Sequence, residues 1–160
     1  MKYRRPTRIP DFDYIGDHAY FVTACTSGRR RWFEDAAIVE VALTQLLRTG
    51  EEYGFAIIVY CFMPDHLHLV PEGRREDADL RLFMKVFKQR AVYYTRDLRD
   101  DDLWQEGYYE HVIRGEETAT KIARYVLENP VRAELVNDPE EYPFSGSSVY
   151  KIHDILVGLV

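Results

Sequence analysis

The 160-residue sequence predicts a ferredoxin-like α+β fold, a split βαβ sandwich in which an antiparallel sheet carries helices on one face. The first observation is the element order, which reads strand, helix, strand, strand, helix, strand, helix. The second is the absence of internal repeats and of linkers rich in Pro, Gly or Ser. The third is a composition of 46% apolar and 30% charged residues, typical of one globular domain. We therefore expect a single domain over 1–160, with an arm over 1–17, a core over 18–136 and a tail over 137–160.

The first third of the chain predicts an arm, a strand and a helix. Residues 1–17 are polar and contain two prolines, which favours an extended basic arm. Residues 18–26 are rich in β-branched and aromatic side chains and end at Ser27-Gly28, so we expect a strand and a turn. Residues 35–53 repeat apolar side chains at helical spacing and end beside Gly54, which predicts a helix.

The next segment predicts two strands joined by a turn. Residues 55–62 form a continuous apolar run of β-branched and aromatic side chains, which is typical of a strand covered on both faces. Met63-Pro64-Asp65 predicts a turn, and 66–70 predicts a second short strand that ends before Pro71.

The second half predicts a helix, a strand and another helix. Apolar side chains recur at helical spacing over 79–98, and the charged stretch 97–102 breaks that pattern. Residues 104–113 predict a strand and 116–127 a helix. We expect Asn129-Pro130 to end this last helix, because a residue before proline is disfavoured in the α conformation.

The formal net charge of −6 hides an asymmetry that bears on the partner. Residues 1–31 hold seven basic and three acidic side chains, which leaves +4 there and −10 in the rest of the chain. The acidic total therefore does not exclude a nucleic acid. Six arginines at this end are candidate DNA contacts, although solvated charges would show the same pattern: Arg4, Arg5, Arg8, Arg29, Arg30 and Arg31.

The sequence predicts neither a membrane span nor a secretory route. Its longest apolar run, 55–63, has nine residues, whereas a spanning helix needs about 20. The charged N-terminus is not followed by an apolar stretch, so we expect no signal peptide. Cys25 and Cys61 lie far apart in apolar surroundings, which favours buried free thiols in a reducing compartment. We expect a cytoplasmic protein.

Two histidines form the strongest local signal for chemistry. Successive side chains of a strand alternate between faces, so His66 and His68 point the same way while Leu67 and Leu69 point into the opposite layer. Two imidazoles on one face can bind a single metal ion. The spacing alone also fits two polar residues on a solvated face, so the metal site needs further ligands from elsewhere.

The predicted helix before Pro130 carries polar groups within an apolar stripe. Ile122, Tyr125, Val126 and Asn129 share one helical face by their spacing. We expect this face to be buried, so that the phenol and the amide need partners there. A helical tyrosine is either packing material or a nucleophile, and the spacing does not decide between them.

Three segments taken together resemble REP-associated tyrosine transposases, a branch of the HUH single-strand endonucleases related to bacterial insertion-sequence transposases. They occur in the order Met63-Pro64-Asp65-His66-Leu67-His68, Trp104-Gln105-Glu106-Gly107-Tyr108-Tyr109-Glu110-His111-Val112-Ile113-Arg114 and Arg124-Tyr125-Val126-Leu127-Glu128-Asn129-Pro130-Val131-Arg132-Ala133. The segments 20–23 and 142–148 are also similar to that family. The resemblance covers roughly 3–150 of the chain.

The resemblance implies roles for matching positions. His66 and His68 occupy the metal-binding histidines of the HUH motif, and Tyr125 occupies the place of the nucleophilic tyrosine. Asn129 stands where a polar side chain completes the metal site, although an asparagine before proline also fits a helix cap. His111 is a further candidate near the site, with a hydrogen-bonding role in its strand as the alternative.

The implied activity is a transposase or single-strand DNA endonuclease that cleaves hairpin-forming repeat DNA through a covalent 5′-phosphotyrosine. The family uses Mg²⁺ or Mn²⁺, and imidazole ligands make Mn²⁺ the better compromise. No nucleotide cofactor is expected, in agreement with the absence of GxxxxGK[ST]. The alternative is a non-catalytic single-stranded nucleic-acid-binding module on the same fold. We expect a partner of single-stranded or hairpin DNA and a monomer or homodimer.

Overall fold

A computed structural model describes residues 9–114 and 117–160. The predicted arm residues Arg4, Arg5 and Arg8 lie outside the described residues. The strands are β1 (Tyr20–Cys25), β2 (Phe55–Met63), β3 (His66–Gly73), β4 (Tyr109–Val112) and β5 (Ser145–Gly146). The helices are α1 (Ala36–Tyr53), α2 (Leu80–Tyr94), α3 (Ala119–Leu127), α4 (Asn129–Arg132) and α5 (Ile152–Val157).

The strands described form one sheet in the order β4-β1-β3-β2-β5, with antiparallel neighbours throughout. The connection through α1 takes the chain from β1 to β2 across the position of β3, and the connection through α2 takes it from β3 to β4 across β1. This is the split βαβ topology. The predicted α+β fold is confirmed, and the short strand β5 is an addition to it.

Capping side chains explain where the two long helices begin. The Asp35 carboxylate accepts the Ala37 amide proton at the start of α1, and the Asp79 carboxylate accepts those of Arg81 and Leu82 at the start of α2. Each cap satisfies amide groups that the first helical turn leaves unpaired. Helix α1 ends at Gly54, whose φ of 79° lies in the left-handed region that glycine adopts without strain.

Helices α1 and α2 pack on one face of the sheet, as predicted. The alternate residues of the central strands point toward them and are buried, as Val22 is on β1 and Leu67 and Leu69 are on β3. They meet aromatic side chains of α2 such as Phe83 and Phe87. The main core of the domain lies in this layer.

The opposite face is covered in part by α3 and α5, so the expectation of helices on one face holds only for α1 and α2. Cys61 of β2 and Val70 of β3 are buried here against Val126 and Leu127 of α3 and Ile155 of α5. The apolar run of β2 has apolar side chains on both faces, and both therefore need a cover. The tail 137–160 supplies part of this cover.

Three predicted boundaries differ from the structure. The expected strand 104–113 narrows to β4, and Trp104 makes only an isolated bridge with Thr26. The helix expected from 116 begins at Ala119, because the Thr118 hydroxyl accepts the Lys121 amide proton and caps it. Helix α3 ends at Leu127 as predicted, but Asn129-Pro130 begins the short helix α4 at once, because a proline in a first turn needs no amide proton. Within the described ranges, no helix is long and apolar enough to cross a membrane.

Candidate active site

Strand β3 brings the two predicted metal-binding histidines together on the side of the sheet that faces α3. The Nε2 atoms of His66 and His68 lie 3.1 Å apart, and the ring centroids are separated by 4.6 Å. Leu67 between them is buried in the opposite layer. The predicted alternation of the strand is confirmed, and two imidazole nitrogens converge on one point.

The outer nitrogen of His66 is held by a carboxylate. Its Nδ1 lies 2.7 Å from Asp65 Oδ1, and Asp65 Oδ2 accepts a hydrogen bond from Arg29 Nε at 3.0 Å. An ionised carboxylate only accepts hydrogen bonds, so the proton of neutral His66 resides on Nδ1. Its Nε2 lone pair then faces His68 and is available to a metal ion.

The outer nitrogen of His68 is held by a hydroxyl. Thr23 lies directly opposite His68 in the β1–β3 pairing, and its Oγ1 is 3.0 Å from His68 Nδ1. A hydroxyl both donates and accepts, so this contact is compatible with either tautomer of His68. In one tautomer, His68 Nε2 donates its proton to His66 Nε2. In the other tautomer, the lone pairs of His66 Nε2 and His68 Nε2 point toward the same place, which suits a shared cation.

Burial keeps both imidazoles in the neutral form that metal ligation requires. Burial lowers the pKa of His66, with the Asp65 carboxylate acting in the opposite direction. Burial also lowers the pKa of His68 to about 3, and the charges of His66, Arg132 and Arg29 add to the effect. Burial alone would raise the pKa of Asp65, but its hydrogen bonds from His66 and Arg29 lower it overall.

The histidine pair fits a divalent cation by spacing and by donor type. Metal–imidazole bonds of about 2.1 Å that meet near a right angle separate the two nitrogens by about 3 Å. In 9–114 and 117–160, no group of three or more His, Cys, Asp or Glu side chains has the arrangement of a metal site. Amide, water and phosphate oxygens are further ligands that suit Mg²⁺ and Mn²⁺.

Tyr125 lies on α3 but not on its buried face. Its side chain is 57% exposed, while Ala123, Val126 and Leu127 are buried against the sheet. The prediction of a buried stripe through Tyr125 was therefore wrong. The helix is rotated so that the small Ala123 contacts the sheet, which turns the phenol toward the edge of α3. The phenol is therefore accessible from outside the domain.

Asn129 is half-buried at the start of α4, one turn after Tyr125. Its backbone carbonyl accepts the amide proton of Ala133. No hydrogen bond in the described part of the chain joins its side-chain amide to the histidine pair, and its role as a metal ligand stays a prediction.

His111 is exposed and pairs with an acidic side chain. Its Nε2 lies 2.9 Å from Glu117 Oε2, which links β4 to the residues before α3. Across the sheet it is opposite Phe21, whose ring centroid is 5.4 Å from that of His68. Phe21 thus lies between His111 and the histidine pair. The contact that the structure gives His111 is its hydrogen bond with Glu117.

The predicted basic triplet 29–31 is compensated by nearby acidic groups. Arg29 binds Asp65, Arg30 pairs with Asp100 and Asp101, and Arg31 pairs with Glu34. The acidic stretch 97–102 therefore lies beside this triplet. DNA contact by these arginines stays a prediction, and Arg29 has a structural partner in Asp65, which also contacts His66.

Sequence reasoning missed three side chains around the site. Asp65 was assigned only to a turn, although it directly precedes His66 in the sequence and that adjacency was a signal for their contact. Thr23 was assigned only to a strand, because its contact with His68 depends on the pairing of β1 with β3. Arg132 of α4 lies over Tyr125, with its Cζ 3.9 Å from the ring centroid. Residues seven positions apart share one face of a helix, and this spacing was the signal that the two side chains lie on the same side.

Comparisons with known proteins identify the family of this chain. A family model described as IS200-like transposase matches residues 15–129. A putative REP-associated tyrosine transposase of Haemophilus influenzae is 24% identical over 147 residues, covering 83% of this chain and 81% of the relative. A REP-associated tyrosine transposase of Escherichia coli K12 is 25% identical over 103 residues, covering 62% of this chain and 59% of the relative.

Two solved structures share the fold. One is a REP-associated tyrosine transposase bound to a REP hairpin, with a TM-score of 0.73, 19% identity, and coverage of 97% of this chain and 88% of that one. Another is a putative transposase from Deinococcus radiodurans R1, with a TM-score of 0.53, 19% identity, and coverage of 78% and 97%. The resemblance drawn from the three sequence segments is confirmed, and the chain belongs to the IS200-like transposase family.

Proposed function

We propose that this protein is a metal-dependent single-strand DNA endonuclease and strand-joining transposase that acts on hairpin-forming repeat DNA through a covalent 5′-phosphotyrosine. The observation that carries the proposal is the pair of converging imidazole nitrogens, 3.1 Å apart, on the face of the sheet that α3 covers. The same helix presents an exposed tyrosine. Family membership supports the assignment of DNA processing.

Tyr125 is the proposed nucleophile. Its phenolic oxygen attacks the scissile phosphorus and loses its proton, the P–O3′ bond breaks, and the DNA 3′ oxygen leaves and takes up a proton. The new P–O bond to tyrosine replaces the one that is broken, so a second strand end can reverse the step without a nucleotide cofactor. The accessible position of the phenol supports this role.

His66 and His68 are the proposed protein ligands of the cation, with Asn129 as a third. A bound Mg²⁺ or Mn²⁺ would polarise the phosphate oxygens at the position where negative charge develops. Asp65 and Thr23 hold the outer ring nitrogens and thereby direct both Nε2 atoms inward. Because two ligands are imidazoles, we expect Mn²⁺ to support activity at least as well as Mg²⁺.

The proposed substrate follows from family and charge. One solved relative is a complex with a REP hairpin, which supports hairpin DNA as the partner here. The basic arm, with Arg4, Arg5 and Arg8, and the triplet 29–31 are the proposed contacts to the phosphate backbone.

Covalent trapping tests the proposal directly. The protein is incubated with Mn²⁺ and end-labelled single-stranded DNA that contains a hairpin, and denaturing gels then reveal adducts that survive detergent. We expect an adduct with the wild type that is lost in Tyr125→Phe, in His66→Ala and in the presence of a chelator. Tyr109→Phe is the matched control, since Tyr109 is also exposed and lies on β4 opposite Thr23.

Two results would contradict the proposal. An adduct that persists in Tyr125→Phe and disappears in Tyr109→Phe would assign the nucleophile elsewhere. Tight binding of many hairpins without any adduct would identify a non-catalytic binding module.

A further inference from the structure

We propose that Arg132 is a positioning residue for the nucleophile: its guanidinium fixes the ring of Tyr125 at the edge of α3. The inference rests on the proposed role of Tyr125. Arg132 would act through Tyr125 and not as a ligand of the metal ion.

Two contacts join Arg132 to the same tyrosine. The guanidinium carbon lies 3.9 Å from the centroid of the Tyr125 ring, within the range of a cation–π contact. Nη2 also donates a hydrogen bond of 2.5 Å to the Tyr125 backbone carbonyl. The planar guanidinium is thus anchored to the backbone of the residue whose ring it covers, which limits rotation of the exposed phenol.

A third contact pairs the guanidinium with a carboxylate. Glu128, in the junction between α3 and α4, has Oε2 3.6 Å from Arg132 Nη1 and Oε1 3.2 Å from Arg124 Nε. Arg124 points to the same carboxylate from the preceding turn. Because α4 continues directly after α3, Arg132 lies two turns after Tyr125 and reaches back over it.

The positive charge of Arg132 also contributes to the lowered pKa of His68. Burial and the neighbouring His66 are the larger causes of the lowered pKa of His68, and Arg132 is the next. Arg132 likewise opposes the burial that raises the pKa of the Cys61 thiol. The guanidinium that contacts the ring of Tyr125 is therefore within electrostatic reach of His68.

A lysine would not replace this arrangement. Its ammonium is a point charge on a flexible chain and has no planar face to lie over a ring while it donates to a carbonyl. The geometry therefore predicts that charge alone is not sufficient at this position.

The test separates positioning from binding and from charge. Adduct formation is measured in single-turnover experiments at saturating hairpin DNA, and the hairpin Kd is measured in metal-free buffer. We expect Arg132→Lys and Arg132→Gly to lower the single-turnover rate at least tenfold while the Kd stays within twofold. Methylguanidinium in the buffer should restore part of the rate in Arg132→Gly. Arg124→Ala, which removes an equal charge bound to the same Glu128, should change neither quantity more than twofold.

An unchanged rate in Arg132→Lys, or an equal loss in Arg124→Ala, would overturn the proposal. A second readout does not depend on activity. The aromatic NMR signals of Tyr125, identified by their absence in Tyr125→Phe, should shift in Arg132→Lys and not in Arg124→Ala. If the wild type forms no adduct, the proposed function fails, and unshifted Tyr125 signals would separately refute the contact with Arg132.

Discussion

Replacement of Asp65 by asparagine is the sharpest perturbation of the candidate metal site. Asp65 uses one carboxylate oxygen for His66 Nδ1, at 2.7 Å, and the other for Arg29 Nε, at 3.0 Å. Both neighbours donate protons, and asparagine keeps only one oxygen to accept them. Asp65→Asn therefore weakens the contact that orients His66 while the shape of the side chain is almost unchanged.

The expected loss of metal affinity follows from the kind of hydrogen bond removed. A charge-assisted bond contributes about 1.5–3 kcal/mol, whereas a neutral one contributes about 1 kcal/mol. Partners that orient a metal-binding histidine typically change affinity by about 10–100-fold, which corresponds to about 1.4–2.7 kcal/mol. The Asp65 side chain is only 23% exposed, so water replaces the lost partner poorly. We expect the Mn²⁺ Kd to rise at least tenfold.

Electron paramagnetic resonance of free Mn²⁺ measures this Kd without DNA and without turnover. Asp77→Asn is the matched control, because Asp77 also pairs with an arginine, Arg75, at 2.8 Å but is exposed on the surface. An Mn²⁺ Kd in Asp65→Asn equal to that of the control would refute the argument that the carboxylate orients His66.

Three further predictions concern the same centre and its surroundings. Thr23→Val should weaken Mn²⁺ binding severalfold in the same titration, because valine cannot form the hydrogen bond with His68 Nδ1. Thr23→Ser keeps the hydroxyl and should not weaken it. The pKa of His68 is about 3 in the folded state and about 6.5 in the unfolded state, so its contribution to stability is present above pH 6.5 and is lost as the pH falls toward 3. The free energy of unfolding, measured with urea, should therefore fall less between pH 7 and pH 5 in His68→Gln than in the wild type. Deletion of residues 1–8 should weaken hairpin binding and reduce its salt dependence, and an unchanged Kd at several salt concentrations would place the DNA contact elsewhere.

The sequence predicted the features that depend on local periodicity. Alternation along β3 separated His66 and His68 from Leu67, and helical spacing located α1 and α2 to within a few residues. These patterns are local consequences of backbone geometry, and tertiary contacts did not override them. The family resemblance supplied the predicted role of Tyr125, which periodicity alone left open and which stays a prediction.

Features that depend on long-range packing were not predicted. The orientation of α3 depends on which of its residues fits against β2, and the small Ala123 there replaced the stripe expected through Tyr125. The contact of Thr23 with His68 spans 45 positions and exists only because β1 pairs with β3 in one register. Pairing partners of this kind are set by the assembled sheet and leave no local signal.

The turn before β3 links the fold to the chemistry. A shift of one residue in the register of β3 would exchange faces, placing the imidazoles in the main core and the leucines at the candidate metal site. Two backbone hydrogen bonds oppose that shift: Phe33 N–H donates to the Pro64 carbonyl at 3.0 Å, and Thr26 N–H donates to the Asp65 carbonyl at 3.0 Å. Asp65 therefore fixes the register through its backbone and orients His66 through its side chain. The same residue thus sets both the position of the strand and the orientation of the His66 ring, whose Nε2 is the first candidate metal ligand.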